Sequence, residues 1–195
     1  MYGKWKMKNK LAIFDMDGTL FDTKDVNYRA YKFAIEQCGF SINIDYKYYC
    51  DYCNGNNYKV FLPKIIPQIT QSQMEQIHNC KKNKYASCLK YARKNEILFA
   101  MIESLKNEFI IALVTTASKK NVADILKTFE VNEYFDLIVT QEDVQKTKPD
   151  PEGYLLALEK SKVTKQNAII FEDSETGMLA AKASGIDYVQ VYGYN

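Results

Sequence analysis

The chain has 195 residues and a formal net charge of +2, with 47% hydrophobic and 26% charged residues and only 8 glycines and 4 prolines. This balance is typical of a globular protein and excludes collagen-like, mucin-like and disordered classes. Its longest apolar runs are four to six residues, whereas a membrane-spanning helix needs about 20, so we expect no membrane partner.

The first predicted elements are one strand and a helical insertion. Residues 11–14 form a short apolar run of strand length. Residues 24–95 then show helical spacing, and Gly39, Gly55, Pro63 and Pro67 divide them into about four helices, with no strand run. We therefore predict an all-helical domain, residues 24–95, inserted directly after the first strand.

The second half of the chain alternates strands with helices. Apolar runs predict strands at 109–114, 135–139, 168–171 and 188–191, and amphipathic patterns predict helices at 97–107, 121–129, 151–160 and 176–183. This alternation indicates βαβ units and a parallel sheet covered on both faces. The predicted fold class is α/β: a Rossmann-like three-layer core from residues 1–23 and 96–195, carrying the helical insertion.

Charge is distributed unevenly along the chain. Residues 24–95 carry 12 basic and 5 acidic side chains, whereas residues 96–195 carry 10 and 16. The basic residues are spread among helical patterns without an arginine cluster, which favours a solvated face or attraction for a small anion over nucleic-acid binding.

The N-terminal sequence and the cysteines indicate in which cellular compartment the protein works. The first ten residues, which include four lysines, are followed by only four apolar residues before Asp15, fewer than the roughly 7 to 15 of a secretory signal. Five cysteines, an odd number within one stretch, fit reduced thiols better than a disulfide framework. Cys50 and Cys53 form a CxxC pair, but zinc would need a second pair or a histidine partner, and the chain has one histidine. We expect a cytoplasmic protein, with the role of this pair open.

Chemistry-bearing residues follow four predicted strands. In an open parallel sheet, ligands bind at the carboxyl ends of the strands, so these residues are expected to converge. The first strand is followed by two carboxylates in DMDGT, the strand at 109–114 by hydroxyl groups, the next by two lysines in QKTKPDPEGY, and the strand at 168–171 by a second carboxylate pair. In chain order they are Asp15, Asp17, Thr115, Thr116, Lys146, Lys148, Glu172 and Asp173.

This set of groups predicts a site for a phosphoryl group and Mg²⁺. Carboxylate oxygens hold this hard cation, and substrate phosphate completes its coordination. The metal, a lysine and amide donors together offset the charge on a transferring phosphoryl group.

The segments FDMDGTLFDT, ALVTT, KPDPEGY and IIFEDSETGMLAAKASG resemble, in this order, the four motifs of the haloacid dehalogenase superfamily. The resemblance covers nearly the whole chain, and the insertion is similar to the helical cap of some members. It implies that Asp15 is the nucleophile that forms an aspartyl-phosphate and that Asp17 is the general acid and base.

The resemblance also implies the binding roles. Thr115 and the Thr116 amide would bind phosphoryl oxygens, and Lys148, rather than Lys146, would neutralise charge. Mg²⁺ would be held by Asp15, by the Asp17 carbonyl, and by Glu172 and Asp173. Of the last pair we favour Asp173 as the direct ligand of Mg²⁺, since Glu172 could bind the ion through a water molecule. A helix-capping role for Thr115 or Thr116 stays open.

Within this family, an aspartate two residues after the nucleophile, here Asp17, points to phosphate esters. The β-phosphoglucomutases resemble the chain closely but carry a histidine where Asn27 stands, and Thr19 fits the phosphatase form of the motif better. We therefore predict an Mg²⁺-dependent hydrolase of a small phosphorylated metabolite, with a β-phosphoglucomutase-like sugar phosphomutase as the alternative. The helical cap would decide the substrate, and we expect a monomer or a weak homodimer.

Overall fold

A computed structural model describes residues 8–192 and Tyr194. The basic segment that bears on a secretory signal lies mostly in residues 1–7, outside the described residues. The chain divides into two compact units, one made of the segments that end at Asp22 and begin again at Lys94, and one made of Thr23–Arg93. In the part of the chain described, no helix is both long and apolar enough to span a membrane.

The first unit is built on a five-stranded parallel sheet with the order β5-β4-β1-β6-β7. This confirms the predicted α/β fold class. The strands of the described residues, including two short ones outside this sheet, are β1 (Lys10–Phe14), β2 (Phe21–Asp22), β3 (Arg93–Lys94), β4 (Phe109–Val114), β5 (Leu137–Val139), β6 (Ala168–Glu172) and β7 (Asp187–Gln190).

Helices cover both faces of this sheet. They are α5 (Glu96–Leu105), α6 (Lys119–Thr128), α7 (Glu152–Ser161) and α8 (Glu175–Ser184), which the chain reaches after the helices α1 to α4 of the second unit. Leu11 and Ile13 pack with Tyr154 of α7 and Ala180 of α8 on one face. Alternate strand residues point the other way, where Phe14 stacks on Phe171 with ring centroids 4.6 Å apart and α5 packs on β4. Burial of both faces explains why β1, β4 and β6 appear in the sequence as continuous apolar runs.

The second unit contains the four helices α1 (Lys24–Gln37), α2 (Tyr46–Tyr52), α3 (Tyr58–Ile65) and α4 (Gln71–Cys88). Aromatic rings fill much of its core: Tyr31 lies 5.0 Å from Phe61 between ring centroids, in an edge-to-face arrangement. Pro63 does not break a helix as expected but lies inside α3. Because proline has no N–H, α3 lacks the hydrogen bond that residue 63 would otherwise donate to the Lys59 carbonyl, and the helix ends two residues later at Ile65.

The expectation of no strand in residues 24–95 was wrong at β3. This strand pairs with β2 in a separate two-stranded sheet. Each strand has only two residues, too few to produce a periodic pattern in the sequence.

Candidate active site

Three strand ends meet at the centre of the parallel sheet. β1 lies between β4 and β6, so the residues that follow these strands are neighbours. The Asp15 N–H donates to the Phe171 carbonyl at 3.0 Å and extends the β1–β6 ladder by one bond. Thr115 is anchored in the same way, because its N–H donates to the Val139 carbonyl at 3.0 Å. These backbone bonds hold the first candidate residues at the carboxyl edge of the sheet.

Gly18 allows the chain to turn sharply after β1. Its φ of +95° is in the region that favours glycine, and a Cβ there would lie 2.1 Å from Asp173 Oδ2. Thr19, the next residue, is fully buried, and its hydroxyl donates to Asp173 Oδ1 at 2.8 Å. The DMDGT turn therefore packs directly against the carboxylate that follows β6. Asp17 lies within this turn and is half-buried.

Lys148 joins two of the carboxylates. Its Nζ lies 2.5 Å from Asp15 Oδ1 and 2.6 Å from Glu172 Oε2, and it also donates to the Val114 carbonyl at 3.2 Å. Its side chain is 8% exposed. The side chain of Lys146, by contrast, is 75% exposed and faces Asp150 at 4.0 Å. Of the two lysines weighed from the sequence, the structure therefore brings Lys148 to Asp15.

Glu172 is fully buried and held by protein donors on both oxygens. Oε2 accepts from Lys148 Nζ and from the Tyr154 hydroxyl, each at 2.6 Å. Oε1 accepts from the Ser174 hydroxyl at 2.7 Å and from the Ser174 N–H at 3.1 Å. Two donors on each oxygen use the lone pairs that a carboxylate ordinarily offers.

Sequence reasoning gave no role to three residues around Glu172, namely Tyr154, Ser174 and Gly177. A Cβ at Gly177 would lie 2.0 Å from the Glu172 carboxyl carbon, so the helix α8 can approach Glu172 only with glycine at this position. Tyr154 lies in the quoted motif KPDPEGY, but its spacing from Lys148 gives no signal of a bond to a side chain on β6.

The pKa values reflect a crowded, buried site. Burial raises the pKa of Asp15 well above its usual value, and the charge of Glu172 adds to this effect. Burial alone would lower the pKa of Lys148, but the carboxylates of Asp15 and Glu172 raise it well above its usual value. Burial would raise the pKa of Glu172, yet Lys148 and the other donors hold it below the usual value. Lys148 and Glu172 therefore form a buried ion pair, with Asp15 beside it.

Asp173 has a different electrostatic environment. Burial raises its pKa to about 6, assisted by the charge of Glu172 and opposed by the hydrogen bond from Thr19. A second positive group near Asp173 would relieve this repulsion.

The three hydroxyl-bearing residues after β4, Thr115, Thr116 and Ser118, differ in exposure and in hydrogen-bond partners. Thr115 is 5% exposed, and its Oγ1 accepts from the Ala117 N–H at 3.0 Å, which leaves its own proton to donate. Thr116 is exposed. Ser118 caps α6 by accepting from the Asn121 N–H at 3.3 Å, so neither threonine is the capping residue of this helix.

The donor set fits a divalent cation. One carboxylate oxygen from each of Asp15, Glu172 and Asp173 lies within 4.8 Å of the others. Oxygen ligands of this kind suit Mg²⁺, and a cation beside three carboxylates would offset the repulsion that raises the pKa values of Asp15 and Asp173. We find that the residues present fit such an ion.

Comparison with known proteins assigns the fold to a family. Residues 12–191 match the family model for haloacid dehalogenase-like hydrolases. The chain is 30% identical to the phosphorylated carbohydrates phosphatase of Thermotoga maritima over 93% of this chain and 83% of that protein. It is 28% identical to the fructose-1-phosphate phosphatase YqaB of Escherichia coli over 92% of this chain and 94% of that protein.

A solved structure agrees with this assignment. The crystal structure of CbbY from Rhodobacter sphaeroides in complex with phosphate superposes with a TM-score of 0.83 and 25% identity, covering 95% of this chain and 87% of that one. The chain therefore belongs to the family of haloacid dehalogenase-like hydrolases and is a phosphatase of that family.

Proposed function

We propose that this phosphatase hydrolyses a small phosphorylated metabolite, in the presence of Mg²⁺, through an aspartyl-phosphate on Asp15. The observation that carries the proposal is the contact of Lys148 Nζ with both Asp15 and Glu172 at the carboxyl end of the central strand. The ammonium group of Lys148 opposes the rise in the pKa of Asp15 that burial and Glu172 cause, and it orients the carboxylate as a nucleophile.

In the first step, an Asp15 carboxylate oxygen attacks the phosphorus atom and the bond from phosphorus to the ester oxygen breaks. Asp17 gives its proton to the departing alcohol. In the second step, Asp17 takes a proton from water, whose oxygen attacks the phosphorus and releases inorganic phosphate and the Asp15 carboxylate. Thr115 and the Thr116 amide donate to phosphoryl oxygens throughout, and Lys148 offsets their charge.

Mg²⁺ would be held by the carboxylates of Asp15 and Asp173 and by the Asp17 carbonyl, and when bound it supplies positive charge beside the phosphoryl oxygens. Glu172 lies close enough to contribute charge to this set. Direct ligation by Glu172 would require one of its four hydrogen bonds to break.

For the substrate class, we favour a phosphorylated carbohydrate. This rests on the names of two relatives that align over more than 90% of this chain, the Thermotoga phosphorylated carbohydrates phosphatase and the Escherichia coli fructose-1-phosphate phosphatase. We further propose that the enzyme works in the cytoplasm, where its five free cysteines stay reduced, as a monomer or weak homodimer without a nucleic-acid or membrane partner.

The test is phosphate release from a panel of sugar phosphates and p-nitrophenyl phosphate, with Mg²⁺ and with a chelator. We expect metal-dependent release by the wild type and none by Asp15→Asn. Lys148→Met and Lys146→Met form a matched pair, because the two lysines are two residues apart but one is buried against Asp15 and the other is exposed. Lys148→Met should lose at least about a hundredfold in kcat, and Lys146→Met should stay within about twofold.

Two outcomes would contradict the proposal. Equal losses in the two lysine variants would remove Lys148 from the mechanism. Isomerisation of a sugar phosphate without net phosphate release would replace hydrolysis by the mutase reaction.

A further inference from the structure

We propose that Tyr154 is a positioning residue of this site: its hydroxyl, acting through Glu172, holds the ammonium group of Lys148 against Asp15. Tyr154 is 1% exposed and lies in α7, whereas Glu172 ends β6. The effect on turnover rests on the proposed phosphatase function, but the arrangement itself does not.

Lys148 has no spare hydrogen-bond donor. A protonated lysine has three N–H groups, and Lys148 Nζ has three acceptors: Asp15 Oδ1, Glu172 Oε2 and the Val114 carbonyl. The ammonium group therefore cannot shift relative to Glu172 without changing its contact with Asp15. Its position therefore depends in part on the position of the Glu172 carboxylate.

Tyr154 and Lys148 share one oxygen of the Glu172 carboxylate. Both donate to Oε2 at 2.6 Å, and Ser174 occupies Oε1 with two donors. Hydrogen bonds to a charged acceptor are stronger than neutral ones. Loss of the tyrosine donor leaves Oε2 to Lys148 alone, which draws the ammonium group towards Glu172 and away from Asp15.

The ring and the hydroxyl of Tyr154 have separable roles. The ring packs in the core between the sheet and its helices and lies 5.0 Å from Lys148 Nζ, measured to the ring centroid, within the range of a cation–π contact. Tyr154→Phe keeps both ring contacts and removes only the donor to Glu172. This variant therefore tests the hydroxyl without opening a cavity.

The first experiment is a double-mutant cycle with Glu172→Gln, measured on p-nitrophenyl phosphate. We expect Tyr154→Phe to lower kcat about tenfold with KM within about twofold. In the Glu172→Gln background the same substitution should change kcat by less than about twofold, because a neutral amide already replaces the charged carboxylate that accepts from the Tyr154 hydroxyl. An equal loss in both backgrounds would overturn the proposal, since the hydroxyl would then act independently of Glu172.

The second experiment needs no turnover, so it separates failure of this proposal from failure of the proposed function. The ammonium group of Lys148 is followed by NMR in protein labelled with ¹⁵N at lysine side chains, with assignment from Lys148→Arg. We expect Tyr154→Phe to shift this resonance and speed its exchange with water. Tyr134→Phe is the control, because Tyr134 is half-buried in the same unit and its ring packs on Phe99. An unchanged Lys148 resonance in Tyr154→Phe would refute the proposal even if the enzyme hydrolysed no ester.

Discussion

Replacing Gly177 by alanine should damage the site although alanine favours helices. Gly177 lies in α8, and its Cβ would meet the Glu172 carboxyl group at 2.0 to 2.2 Å, far inside the contact distance of about 3.5 Å. The carboxylate would have to move by more than about 1 Å. Because its four hydrogen bonds are 2.6 to 3.1 Å long, such a movement breaks at least two of them.

The magnitude follows from opposing contributions. Two hydrogen bonds to a charged, buried acceptor contribute about 1.5 to 3 kcal/mol each, a loss of about 3 to 6 kcal/mol. The gain in helix propensity from glycine to alanine is about 1 kcal/mol. We therefore expect Gly177→Ala to lower the free energy of unfolding by about 2 to 5 kcal/mol, measured by urea denaturation followed by circular dichroism, and to lower kcat at least about a hundredfold.

Gly153 offers a matched control in a neighbouring helix. It lies near the start of α7, and its Cβ would meet a Val114 methyl group at 3.0 Å. This contact is tight, but a methyl group can move by a few tenths of an ångström where an anchored carboxylate cannot. Gly153→Ala should change the free energy of unfolding by less than about 1 kcal/mol. If Gly177→Ala proved as stable and as active as Gly153→Ala, Glu172 would not be fixed in the way we describe.

Three further predictions concern other parts of the chain. Burial raises the pKa of Asp173 to about 6, and the hydrogen bond from Thr19 opposes this rise. Thr19→Val removes that bond and should raise the pKa further, so the Kd for Mg²⁺ measured by calorimetry should rise about three- to tenfold near pH 6 and less at higher pH. Equal affinities of the variant and the wild type would contradict this prediction. Burial lowers the pKa of His78 from 6.5 to about 4, so its neutral form stabilises the fold fully above pH 6.5 and this contribution is lost as the pH falls towards 4. Between about pH 7.5 and pH 5, wild-type unfolding free energy should fall by about 1 kcal/mol more than that of His78→Gln, after allowance for partial exposure, and parallel losses would refute the reasoning. Thr70→Ala removes one half of the capping box that Thr70 forms with Gln73 at the start of α4 and should cost about 1 kcal/mol of unfolding free energy in urea; an unchanged value would show that this helix end is frayed.

The sequence predicted the parallel sheet because its central strands β1, β4 and β6 are buried on both faces and so appear as apolar runs. It also predicted which segments carry chemistry, because parallel strands bring their carboxyl ends to one edge. Lys148 could be separated from Lys146 only by its proline neighbour, and in the structure Lys148 reaches Asp15. These features depend on local pattern and topology, which the sequence encodes directly.

The support around Glu172 could not be predicted in this way. Tyr154 and Gly177 meet Glu172 from two different helices, and each looks like an ordinary helix residue in its own segment. A close approach of this kind is fixed by how α7 and α8 pack on the sheet. No periodic or motif signal in the separate segments reports that packing.

The pair Glu172–Asp173 shows how two adjacent carboxylates acquire different chemistry. A sequence pattern treats them alike, as two candidate ligands for one ion. In the structure, protein donors hold the pKa of Glu172 below its usual value, whereas burial raises that of Asp173 to about 6. The protein itself stabilises the first group as an anion, whereas the second is mainly protonated below about pH 6 unless a further cation is near. We therefore expect Glu172 to stay paired with Lys148 and Asp173 to be the one of the two that binds the metal ion directly.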